Sequence, residues 1–114
     1  MQHDDDVYLG SMRDYAEKVG ELLAGSSRAA FDSNQVLQLA LTFLIRMIGG
    51  AAGRVSARFK DQHAEIPWES IMGMPRRVLQ VDFDVNPDVV WEVATRDTPA
   101  LAKMLRNALP GEPS

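Results

Sequence analysis

Cysteine is absent from this chain of 114 residues. Its absence excludes a disulfide framework, a thiolate nucleophile and any cysteine-ligated zinc or iron–sulfur centre. Histidine is scarce, at two residues. His3 stands near the start of the chain. His63 sits in a polar stretch with Asp61 and Glu65, and no second histidine is spaced to share a metal, so it reads as a solvated loop residue. No glycine-rich phosphate loop is present, since Gly49-Gly50-Ala51-Ala52-Gly53 lies inside an apolar helical pattern with no Lys-Ser or Lys-Thr after it. Basic charge is also short. A net charge of −4 argues against general nucleic-acid binding and leaves Arg76-Arg77 as the one adjacent basic pair.

A long unbroken hydrophobic run is missing too. The most apolar stretch, Val36 to Ile48, is interrupted by Gln38, Thr42 and Arg46, and is expected to form a buried helix rather than a membrane span. The opening Met1-Gln2-His3-Asp4-Asp5-Asp6 has neither the basic nor the apolar region of a signal peptide, so the expectation is a cytoplasmic protein. Nothing alternates with period two and no repeat is visible, which leaves helices.

What is present has helical spacing. Asp4 to Asp6 place negative charge at a helix N-terminus. Tyr8, Met12, Tyr15, Val19 and Leu22 or Leu23 then mark one face of a helix ending near Gly25. Ser26 to Ser33 reads as a connection, with Asp32 or Ser33 as the next cap. A long second helix is expected from about Asn34 to Lys60, apolar nearly all round in its first half. Gly49, Gly50 and Gly53 in its middle point to close helix packing or a dimer contact.

Asp61 to Pro67 reads as a loop before a short helix, Trp68 to Met72, after which Gly73 and Pro75 interrupt regularity. Asn86-Pro87-Asp88 is a helix start, with Asn as cap and Pro at the first position. The last helix runs towards Leu109 with Val89 or Val90, Val93, Leu101, Met104 or Leu105 and Ala108 inside. Pro99 should kink it, with Asp97 or Thr98 as a local cap. Trp68 and Trp91 are expected to pack into the bundle. The fold class is therefore all-α, an antiparallel bundle of four main helices plus a short one, over residues 1–109, with residues 110–114 as a frayed tail.

The segment Ile66-Pro-Trp-Glu-Ser-Ile-Met-Gly-Met74, followed by Phe83-Asp-Val-Asn-Pro-Asp-Val-Val-Trp91, resembles the HepT-like branch of the HEPN superfamily. Asp5-Asp6-x-Tyr8-Leu9 and Ile48-Gly49-x-Ala51-Ala52-x-Arg54 are similar to that family's first and middle helices. The resemblance implies a homodimer in which two copies of an Arg-x4-His motif cut RNA without a metal or cofactor. It also implies a toxin–antitoxin partner, an MNT-type nucleotidyltransferase, which attaches AMP to a tyrosine two residues after the histidine.

The chain departs from that pattern at the motif. Pro75 stands at the arginine position, Gln80 at the histidine position and Asp82 at the tyrosine position, while Gly50 replaces a frequent Glu. Attack by a ribose hydroxyl needs a group to take a proton and a cation to steady the phosphate. Gln80 does not titrate, Pro75 carries no charge, and Asp82 cannot accept AMP as tyrosine does. Arg76 and Arg77 remain as RNA-binding candidates, since either can hold a phosphate.

Three function classes follow. The first is a catalytically degenerate binding or regulatory module. The second is a ribonuclease with a shifted constellation, Arg76 or Arg77 with Asp82 or Asp84. The third is a purely structural subunit. Asp82 and Asp84 read first as solvated charges, with divalent-cation binding as the sharper alternative.

Overall fold

The structure, a computed structural model, describes residues 2–79 and 85–108, with side chains from Asp4 onward. Helix α1, Gln2–Leu23, carries Asp4 and Asp5 in its first turn. It buries Leu9, Met12, Ala16 and Val19, an inner stripe at steps of three and four. The stripe is turned one position from the expected one, leaving Tyr8 and Tyr15 half-buried at its edge and Leu22 exposed. Gly25, at φ 76°, ends the run in the left-handed region that glycine adopts without strain.

The connection expected from Ser26 to Ser33 contains a helix of its own. Ser27 accepts from the Ala30 N–H and starts α2, Arg28–Asp32, whose Phe31 is fully buried. Phe31 is tilted against Trp91 with ring centroids 5.1 Å apart. The next helix, α3, Gln35–Arg54, is capped by neither Asp32 nor Ser33. Asn34 does this, accepting from the Leu37 N–H.

Nor does α3 run on to Lys60. Val55 is extended and Ser56 caps a separate short helix, α4, Ala57–Gln62. The break is fixed from a distance, because Asp5 accepts hydrogen bonds from both the Ser56 N–H (2.8 Å) and its hydroxyl (2.7 Å). Asp5 lies on the buried stripe of α1 and is only 6% exposed. Burial pushes its pKa up. The two Ser56 hydrogen bonds and the charge of Lys60 outweigh that, so the carboxyl is held below its ordinary value of 3.8.

Helix α5, Trp68–Val78, continues through Gly73 and Pro75 instead of stopping at Met72. Leu79 then pairs with Val85 in an isolated antiparallel bridge. Asn86 caps α6, Pro87–Glu92, accepting from the Asp88 and Val89 N–H groups as its sequence indicates. Pro99 does not kink the chain by breaking it. A π-helical turn, Val93–Asp97, joins α6 to α7, Thr98–Ala108. Thr98 does not cap α7; its hydroxyl donates to the Val93 carbonyl at 2.8 Å, inside the wide turn.

The assembly is an all-α bundle. Its four main lengths are α1, α3, α5 and the α6-to-α7 run; the short helix expected at Trp68–Met72 is the start of α5, and the short helices among the described residues are α2 and α4. Helix α3 is central, packed against α1, α5, α2 and α6. One face of it, bearing Leu41, Leu44, Ile45, Ile48 and Ala52, is buried. The opposite face is not: Val36 is 78% exposed, Leu39 52%, Phe43 55% and Met47 37%. Burial on more than one side, expected from its composition, is therefore not met within a single chain. At 20 residues and a mean hydropathy of 1.6, α3 also exceeds the Val36–Ile48 run and is long and apolar enough by those measures to cross a membrane.

Candidate functional site

Pro75 lies in the third turn of α5, where its missing N–H leaves the Ile71 carbonyl without its usual helical donor. The ring packs on α3 at Gly49, with which it forms the tightest contact of any glycine here. A Cβ at Gly49 would lie 2.6 Å from both Cδ and Cγ of Pro75, and 3.3 Å from the Ile71 oxygen. Close helix packing or a dimer contact was expected at the three glycines of this helix. Close packing within the chain occurs at Gly49, while Gly50 and Gly53 have nothing within 4 Å of a Cβ position.

Arg76 and Arg77 follow on the last turn of α5, and both are exposed. They are not equivalent. The Arg77 guanidinium donates to Asp97 at 2.7 Å, tying the end of α5 to the π-helical turn. Arg76 has no hydrogen-bond or ion-pair partner among the described residues. Gln80, Asp82 and Asp84, the other positions singled out by the sequence, lie outside the described residues.

His63 is half-buried rather than solvated. Its ring stacks on Phe59 with centroids 4.2 Å apart, and Nδ1 stands 3.4 Å from Glu65. It closes α4 at its C-cap, and its carbonyl accepts the Trp68 indole N–H at 3.1 Å. That is a structural post holding Trp68, which is buried as expected. Trp91 is half-buried against Phe31. Among the described residues no group of three or more His, Asp or Glu is placed to hold a metal ion.

Two adjoining hollows flank the exposed side of α3. One, of about 390 Å³, lies towards α5 and is lined by Pro75, Met72, Gly49 and Phe43 together with Arg46, Met47 and Gly50. The other, of about 430 Å³, lies towards α1, where Tyr8, Ser11 and Tyr15 meet Ala51, Arg54 and the same Arg46, Met47 and Gly50. Arg46 thus stands beside Pro75 and was missed as a site residue. Its signal was in the sequence, as the lone charge in the Val36–Ile48 run, four residues before Gly50 and eight before Arg54.

The family model described as Ribonuclease HepT-like matches residues 12–108. Among curated proteins, one named "Putative RNase" from Caldanaerobacter subterraneus subsp. tengcongensis is 29% identical over 92% of this chain and 94% of its own length. Another, named "Probable ribonuclease HepT" from Thermococcus cleftensis, is 27% identical over 82% of this chain and 86% of its own. No solved structure matches.

Proposed function

The chain belongs to the ribonuclease HepT-like family, and from that premise we propose a homodimeric, catalytically degenerate member that binds RNA without cutting it and pairs with an MNT-type nucleotidyltransferase-like partner. The observation that carries the reading is the seat of Pro75. The position of the motif arginine is occupied by a ring wedged against Gly49, a packing role with no charge to offer a phosphate. Gln80, at the histidine position, has no proton to take up near neutral pH.

The homodimer is supported by the stripe Val36, Leu39, Phe43 and Met47. These residues recur at steps of three and four along the uncovered face of α3, and such a contiguous apolar face is suited to a two-fold contact. The nucleotidyltransferase-like antitoxin, and with it the toxin–antitoxin role, rests on the resemblance. A cytoplasmic location suits a cysteine-free chain. In the rival reading, an active nuclease with a shifted constellation, the cation is Arg76, since Arg77 is held by Asp97.

The test is RNA cleavage by the purified protein, with and without EDTA, beside a Pro75→Arg, Gln80→His double variant. A silent native chain and a cutting variant support degeneracy within an intact cleft. Cleavage by the native chain overturns it and moves the search to Arg76 and the acidic residues Asp82 and Asp84.

A further inference from the structure

Gly50 is a gap in an otherwise apolar row. On α3 the exposed residues Val36, Leu39, Phe43, Met47 and Gly50 follow at steps of three, four, four and three, so they share one side of the helix. The steps are the same read from either end, with Phe43 in the middle. Val36 and Gly50 stand seven residues to either side of it, and Leu39 and Met47 stand four. Val36 is the most exposed large hydrophobic residue among those described. Gly50 is its counterpart in shape. No atom lies within 4 Å of where its Cβ would be, and the hollows on both sides of α3 reach it.

Charge on this helix has one sign. From Gln35 to Arg54 it holds no acid, and its two cations, Arg46 and Arg54, are exposed and have no ion-pair partner among the described residues. Two copies of α3 laid parallel would set each arginine against its own equivalent, like charge on like. Parallel pairing would also leave Gly50 facing Gly50 across an unfilled space, with the packing contacts of both sides lost. Antiparallel pairing about Phe43 removes both faults. It separates the two Arg46 positions by about 9 Å along the axis and the two Arg54 positions by about 33 Å.

We propose that two copies of the chain pack α3 against α3 in antiparallel fashion with the two-fold axis at Phe43, so that Val36 of each copy fills the gap over Gly50 of the other. Leu39 then meets Met47, and Phe43 meets its own equivalent. A two-fold contact requires this exchange, in which one residue meets a second and the second meets the first. The inference rests on the homodimer proposed above. It goes beyond that reading by fixing the register, and by making a side chain of the second copy the occupant of the open space at Gly50.

The absence of cysteine from the natural chain allows single cysteines to report the register in the full-length protein. A disulfide needs Cα atoms about 4.4–6.8 Å apart. Under mild oxidation, Phe43→Cys is expected to cross-link to itself on a non-reducing gel. Val36→Cys alone should stay unlinked, because its equivalent lies about 21 Å away along the axis. Mixed with a size-tagged Gly50→Cys chain, it should give the mixed dimer, and Leu39→Cys should do the same with Met47→Cys. Gly50→Phe, which occupies the seat of Val36, is expected to raise the dimer dissociation constant about tenfold or more by light scattering. Circular dichroism checks that each variant keeps its helix content.

Failure of the register and failure of the dimer are separable. If the native chain is a monomer at tens of micromolar, both fall. If it is a dimer and Val36→Cys or Leu39→Cys links to itself, the pairing is parallel, and the register is overturned with the dimer intact. If it is a dimer in which none of these cysteines links and Gly50→Phe associates as tightly as the native chain, the two copies meet on another face, and the proposal alone is overturned.

Discussion

Asp5 and Ser56 are 51 positions apart, yet both carboxylate oxygens of Asp5 are engaged by the N–H and hydroxyl of that one serine. The same serine hydroxyl accepts from the Phe59 N–H and so starts α4. One buried acid on the first helix thereby fixes where the central helix ends. Asp5→Ala is expected to destabilise the fold by about 2 kcal/mol, the range for a hydrogen bond to a charged group whose partner is left unmet. Urea unfolding at neutral pH measures it.

The pH dependence of that loss follows from the direction of the shift. The folded pKa of Asp5 lies below its ordinary value of 3.8, so its contribution is complete above that value and is lost as pH falls through the folded one. The gap in stability between native chain and Asp5→Asn should therefore be widest near neutrality and narrow in acid. A gap that widened on acidification would show the carboxyl to be stabilising in its protonated form.

Three glycines on one helix should answer differently to the same change. Gly49→Ala forces a Cβ into the Pro75 ring and is expected to cost about 2 kcal/mol. Gly50→Ala and Gly53→Ala meet open space and should stabilise α3 by about 0.5–1 kcal/mol each. Thermal melts of the three variants check the ordering. Equal effects would mean the Gly49–Pro75 contact has room to give.

The uncovered stripe of α3 predicts association. The native chain should be a dimer by light scattering in the tens of micromolar, and Phe43→Glu should yield a monomer with its helix content retained. A native monomer at that concentration removes the dimer from the reading.

Arg77 and Asp97 are both partly exposed, so their bridge is worth little to stability. Arg77→Ala is expected to shift it by about 0.5 kcal/mol or less, and to leave RNA affinity within about twofold. Denaturant melts and anisotropy measure the two. A large loss of affinity would make Arg77 itself an RNA contact.

Local chemistry was legible in the sequence, and distant partnership was not. Asn86, Pro87 and Asp88 start a helix through contacts within three residues, so reading them needed no fold. Ser56 carries an equally good cap, but Ala, Arg and Lys on either side prolong the helical pattern, and only Asp5 reveals the break. Pro75 reads as a helix breaker until Gly49 is known to lie beneath its ring. Pro99 is absorbed by a π-helical turn that the spacing does not announce. Between the two hollows, Arg46 was visible as an odd charge in an apolar run, but its nearness to Pro75, Tyr8 and Tyr15 depends on how α1 and α5 lie against α3.

The contact between Gly49 and Pro75 is also one-sided. While the proline ring fills the space above Gly49, any side chain at position 49 has to shift it. Position 75 is under no matching restraint, since the glycine beneath tolerates a smaller or more flexible neighbour. The two positions are therefore unequal: a change at 75 relieves the contact, whereas a change at 49 must first push the ring aside.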